Sequence, residues 1–127
     1  MKNFTILMYE DETDWKESFE FGMKDKVASK GRTLVIKHKE NGDTLEQDLM
    51  LYSPNLIMVD HDLGITTGDS IIQLIDGMPE YRSVSIFYYS GGESLDDMRK
   101  RVKNYFCQIR CFTKEGEDLD AAIINLL

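Results

Sequence analysis

Five short apolar runs recur along this 127-residue chain, and each is followed by a segment with helical periodicity. They are Phe4–Tyr9, Thr33–Ile36, Leu56–Val59, Val84–Tyr89 and Ile109–Thr113. Parallel strands need a crossover between them, so strict strand–helix alternation predicts a parallel sheet with helices on both faces. Right-handed crossovers then leave few topologies. Leu56-Ile57-Met58-Val59 is apolar without alternation, as expected of a central strand covered on both faces. The predicted fold class is α/β: a doubly wound, five-stranded parallel sheet with five helices.

The helical segments carry their own signals. Trp15, Phe19, Met23 and Val27 recur every fourth residue and predict one apolar stripe, capped by Asp14 with Glu17 as a capping box and stopped by Gly31. Thr44 and Gln47 predict a second capping box, with Leu45, Leu49 and Tyr52 facing inward and Pro54 ending the helix. A loop from His61 to Asp69, with Gly64 and Gly68, leads into Ile71, Ile72, Leu74 and Ile75. Ser94 caps a helix with Leu95, Met98, Val102 and Tyr105 on one side, and the last helix carries Leu119, Ala122, Ile123 and Leu126. Trp15 and the seven methionines read as core.

Composition excludes several classes. Fifteen Lys and Arg against 23 Asp and Glu give a net charge of −8, which opposes direct, non-specific nucleic-acid binding. No run of about 18 apolar residues predicts a membrane span, and the N-terminal apolar stretch is too short for a signal peptide, so a cytoplasmic location is expected. Cys107 and Cys111 with His38 and His61 match no zinc spacing and read as reduced thiols. The length suits one domain over residues 1–127.

In an open parallel sheet, ligands bind beyond the carboxyl ends of the strands. Glu10 and Asp11 end the first strand here, Asp60 the third, Ser90 the fourth and Lys114 the fifth. Three carboxylates brought within about 5 Å repel by roughly 3 kcal/mol per pair at an effective dielectric of 20. Such a cluster raises a pKa or recruits a cation, and oxygen ligands with an open water shell suit Mg2+. A metal, an ammonium, a hydroxyl and a buried carboxylate together predict phosphoryl chemistry, with the carboxylate as nucleophile.

Those residues, in their order Ile6-Leu7-Met8-Tyr9-Glu10-Asp11-Glu12, Leu56-Ile57-Met58-Val59-Asp60, Gly68, Ser90-Gly91 and Thr113-Lys114, resemble the receiver domain of two-component response regulators over the whole chain. The resemblance implies a flavodoxin-like strand order 2-1-3-4-5 and a phosphoacceptor role for Asp60. It implies Mg2+ held by Glu10 and, more directly, by Asp11, with Asp60 and the backbone carbonyl of Asp62 completing the protein ligands, and Lys114 and Ser90 contacting the phosphoryl group. It also implies a histidine kinase or phosphotransfer protein as donor, as in a phosphorelay, with self-catalysed transfer and autodephosphorylation. Three positions depart from the family pattern: Gly64 replaces a usual Pro, Glu115 follows the lysine where Pro is common, and Cys111 occupies the position of the gating aromatic. Phe112 should point to the opposite face from Cys111. Asp62 brings a further negative charge toward the cleft.

In the family the output face is made by the fourth helix, fifth strand and fifth helix. Arg99, Lys100, Arg101 and Lys103 fall on that fourth helix and suit an acidic downstream target or a dimer partner. Five strand–helix units use up the chain, so output comes from a surface of this domain or from a segment outside it. Two alternatives stay open: a Mg2+-dependent phosphatase or nuclease-like enzyme using Asp60 and Asp62, and a degenerate receiver acting only as a binding module.

Overall fold

The computed structural model describes residues 2–115 and 117–127. Its elements follow the predicted alternation: β1 (Lys2–Tyr9), α1 (Thr13–Ala28), β2 (Arg32–Lys39), α2 (Leu45–Tyr52), β3 (Leu56–Asp60), α3 (Gly68–Asp76), β4 (Ser85–Ser90), α4 (Leu95–Val102), β5 (Gln108–Thr113) and α5 (Asp118–Ile124). A two-residue antiparallel hairpin, Asp62–Leu63 against Thr66–Thr67, interrupts the loop after β3. All pairings within the main sheet are parallel, in the order β2-β1-β3-β4-β5. This is the doubly wound parallel sheet that the alternation predicts, in the flavodoxin-like order 2-1-3-4-5 that the resemblance implies.

Pleat alternation divides the core into two layers. Leu7, Tyr9, Ile57, Val59, Ile86 and Tyr88 face α2, α3 and α4. Phe4, Ile6, Met8, Leu56, Met58, Phe87, Tyr89 and Phe112 face α1 and α5. Every residue of β3 is buried, which is why its apolar run does not alternate.

Several local expectations fail for identifiable reasons. α1 starts at Thr13, so Asp14 lies inside the first turn, where its charge suits the helix dipole, and forms no cap. Instead the Glu12 N–H donates to the Glu10 carboxylate at 3.0 Å. Thr44 does not cap α2 with its side chain either. Its hydroxyl donates to the buried carboxylate of Asp48, which also accepts from the Tyr9 hydroxyl at 2.9 Å. A buried acid takes donors from wherever they are. Ser94 does cap α4, accepting from the Asp97 N–H at 3.2 Å. Four methionines are buried, but Met50 is 75% exposed on the outer side of α2, and Met1 lies outside the described residues. Trp15 is only half-buried.

Candidate functional site

Sheet register brings the predicted residues to one edge. Tyr9 pairs with Val59, which sets Glu10 beside Asp60; Asp60 pairs with Tyr89; Ser90 pairs with Thr113. The Lys114 N–H then donates to the Ser90 carbonyl at 2.9 Å and fixes the base of the lysine. Glu10 and Asp60 are buried, at 0% and 1% exposure, while Asp11 is exposed at the rim. One oxygen from each of these three carboxylates lies within 4.8 Å of the others.

Lys114 bridges the acids. Its Nζ lies 3.0 Å from both Glu10 Oε1 and Asp60 Oδ2, and 3.7 Å from Glu12 Oε2. Burial pulls the ammonium pKa down, but its close contacts with the Asp60 and Glu10 carboxylates outweigh that, and the net shift is upward. Two aromatic faces flank it: Nζ is 5.1 Å from the Trp15 ring centroid and 5.8 Å from that of Tyr89. Trp15 stacks on Tyr89 at 4.9 Å. The Tyr89 hydroxyl donates to Glu10 Oε1 at 3.1 Å.

Asp60 Oδ1 accepts the Asp62 N–H at 3.1 Å. Its Oδ2 is buried with no aligned hydrogen-bond donor among the described residues, although Nζ of Lys114 stands 3.0 Å away. Burial, then the adjacent Glu10 carboxylate, push the Asp60 pKa from 3.8 up to about 7, against the pull of Lys114 and of the Asp62 N–H. Burial, ahead of the nearby Glu10 and Glu12 charges, also raises Asp11. A buried acceptor oxygen lacking an aligned donor, in a group of three carboxylates with one at the rim, is a donor set of the kind that binds Mg2+.

A folded-state pKa of about 7 against 3.8 means that the folded chain holds the Asp60 proton more tightly than the unfolded chain does. The resulting stabilisation is complete below the unfolded value and is lost as pH rises through about 7. Metal-free native protein should therefore lose stability relative to Asp60→Asn across that window, measured by chemical denaturation at several pH values. Parallel pH dependences for the two proteins would contradict the assignment.

Ser90 and Asp62 are placed differently from the acids. By pleat parity Ser90 belongs to the face opposite Asp60 and Tyr89. Its hydroxyl accepts the Gly92 and Glu93 N–H groups at 3.1 and 3.0 Å and donates to Asp62 at 3.4 Å. The Asp62 side chain is 69% exposed and, among the described residues, does not join the three-carboxylate group. An Asp60–Asp62 pair of metal-binding side chains, as the enzyme alternative needs, is not what the fold presents. Gly64 has φ of +76°, which proline cannot adopt, so this loop takes a path closed to the usual residue. No cis peptide occurs among the described residues, in keeping with Glu115 after Lys114. Phe112 is buried against Phe87, and Cys111 packs on the other face, as expected.

Sequence reading missed Tyr89, Trp15 and His38. Tyr89 reads as one more apolar strand residue, yet its register with Asp60 puts both on one face, and pleat parity could have found it. His38 Nε2 lies 2.6 Å from the Glu10 carbonyl oxygen, a contact with no sequence signal.

The sequence matches no protein-family model and no curated protein. Solved structures match the whole architecture. A signal receiver domain of a DNA-binding response regulator from Colwellia psychrerythraea 34H superposes with a TM-score of 0.78 at 21% identity, with 97% of each chain covered. The chain has the receiver-domain fold. Chemotaxis protein CheY4 of Vibrio cholerae shares the receiver fold with a TM-score of 0.76 at 13% identity, covering 97% of this chain and 98% of that one. The signal receiver domain of a signal transduction histidine kinase from Syntrophus aciditrophicus gives a TM-score of 0.72 at 20% identity, covering 95% and 86%. Among the described residues, no helix is long and apolar enough to cross a membrane.

Proposed function

We propose that the whole chain is one receiver domain that accepts a phosphoryl group on Asp60 in a Mg2+-dependent reaction and signals by protein contact. The observation that carries this is the buried Asp60 carboxylate at the end of β3, 3.0 Å from Lys114 Nζ and grouped with Glu10 and Asp11. Solved structures with this fold include receiver domains of a response regulator and of a histidine kinase, which favours a histidine kinase or phosphotransfer protein as donor.

An Asp60 oxygen attacks phosphorus, and the bond from phosphorus to the donor's imidazole nitrogen breaks with its electron pair going to that nitrogen. The product is an acyl phosphate. Glu10, Asp11, Asp60 and the Asp62 carbonyl would hold Mg2+, which offsets charge on the phosphoryl oxygens when bound. Lys114 turns from Asp60 to a phosphoryl oxygen, and the Ser90 hydroxyl turns from Asp62 to another. Water attack on phosphorus later releases phosphate and restores the carboxylate.

The output surface proposed is the groove of ≈ 700 Å³ between α4, β5 and α5. Arg99, Lys103 and Arg110 line it, with Asp118, so it suits an acidic downstream partner or a second copy of the chain. Lys100 and Arg101 are exposed outside the groove lining, and Arg101 reaches Glu93 at 3.5 Å.

Trp15 is the single tryptophan and sits against Lys114, so it reports on the reaction. Beryllofluoride with Mg2+ should shift Trp15 emission in the native chain and leave Asp60→Asn unchanged. An equal shift in both proteins would contradict the assignment of Asp60.

A further inference from the structure

Glu10 is a carboxylate without access to solvent, so its oxygens must be satisfied inside the protein. Oε1 accepts from the Tyr89 hydroxyl at 3.1 Å and faces Lys114 at 3.0 Å. Oε2 accepts from the Glu12 N–H at 3.0 Å and from Lys114 at 3.2 Å. Lys114 is shared with Asp60, and the proposed reaction turns it toward a phosphoryl oxygen. Tyr89 cannot move in the same way. Its side chain has 0% exposure, its ring stacks on Trp15, and its strand position is paired with Asp60. His38 meanwhile contacts the Glu10 main-chain oxygen.

We propose that Tyr89 is a positioning residue for the cation: its hydroxyl, opposite the Glu12 N–H, fixes the Glu10 carboxylate in the orientation that binds Mg2+. The two donors hold one oxygen each, so the plane of the carboxylate is set without Lys114. When Lys114 swings to the phosphoryl group, Glu10 keeps two partners and its aim. Groups that hold a metal-binding side chain from behind commonly change affinity about 10–100-fold when removed. The link to Lys114 movement rests on the receiver reading, whereas the effect on Mg2+ affinity does not.

Tyr89→Phe keeps the ring and its stack on Trp15 and removes only the donor. Mg2+ binding is measured by calorimetry and by Trp15 emission, and phosphorylation by acetyl phosphate is timed over a range of Mg2+ concentrations. The expected result is a rise of about tenfold in the Mg2+ dissociation constant. The rate deficit should be largest at low Mg2+ and shrink as Mg2+ is raised. In a Glu10→Gln background, Tyr89→Phe should change Mg2+ affinity little further, because both changes act on the same carboxylate. Native Mg2+ affinity in Tyr89→Phe, even with a lowered melting temperature, would reduce Tyr89 to a packing role and overturn the proposal. So would an equal loss in the Glu10→Gln background. If the native chain binds Mg2+ but takes up no phosphoryl group, the receiver reading fails and the affinity ratio alone decides Tyr89. A native chain that does not bind Mg2+ overturns both.

Discussion

Replacing Lys114 with Met should destabilise the metal-free protein by about 3–5 kcal/mol above neutral pH. The side chain is 9% exposed and its ammonium bridges two carboxylates that are themselves buried. Removing it leaves both without a counter-charge while methionine fills nearly the same volume, so the loss is electrostatic rather than a cavity effect. For a domain of this size that corresponds to a drop in melting temperature of roughly 10 °C or more. The deficit should shrink at acid pH, where Asp60, with its pKa near 7, takes up a proton and relieves the repulsion. Mg2+ should also restore part of the stability, since a cation among Glu10, Asp11 and Asp60 replaces the missing charge. Phosphorylation should not recover with it, because in the proposed reaction Lys114 is the ammonium that meets a phosphoryl oxygen, and a loss of about a hundredfold or more is expected. Thermal melts with and without Mg2+, beside a timed phosphorylation assay, separate the two effects. Native-like melting at alkaline pH would show that the buried acid pair does not depend on the lysine.

Gly68→Ala should be almost as damaging, by a different route. A Cβ on Gly68 would stand 2.1 Å from the Asp60 carbonyl oxygen, 2.6 Å from Val59 Cγ1 and 2.9 Å from the Asp60 carbonyl carbon. Two of these are backbone atoms of the central strand, so no rotamer change relieves the clash. The Gly68 N–H, donating to the His61 carbonyl at 2.8 Å, ties the first turn of α3 to the same segment. Separation would require α3 to move off β3 and would carry Asp60 with it. A cost of about 3 kcal/mol is expected, at the upper end for overpacking. Gly22→Ala is the internal control: nothing lies within 4 Å of a Cβ there, and it sits in α1, where alanine should add about 0.5–1 kcal/mol. Denaturant midpoints for the pair should move in opposite directions. A neutral Gly68→Ala would mean that α3 does not pack on β3 as closely as described.

The large features were legible because they depend on pattern rather than on contacts. Alternation of apolar runs with helical stripes determines a parallel sheet, and the unbroken run Leu56–Val59 picks out its centre. Once the order of strands is known, Glu10, Asp11, Asp60 and Lys114 must converge at one edge. Side-chain pairing was not legible, because a buried donor or acceptor binds whichever partner the fold brings near. Asp48 draws the Thr44 hydroxyl away from a capping role, and the Glu10 carboxylate, in place of Asp14, serves the start of α1. Trp15 fits a helix stripe that predicts a core residue, yet it lies half-buried over Lys114 at 5.1 Å. Ser90 reaches the right strand end but faces the other side of the pleat, where Asp62 meets it.

The central claim is that Asp60 receives a phosphoryl group, and mass spectrometry of the intact chain after incubation with acetyl phosphate and Mg2+ tests it most directly. One added phosphoryl group is expected on the native chain, lost on treatment with hydroxylamine as an acyl phosphate should be, and absent from Asp60→Asn. No added mass on the native chain, or the same added mass on Asp60→Asn, would contradict the account.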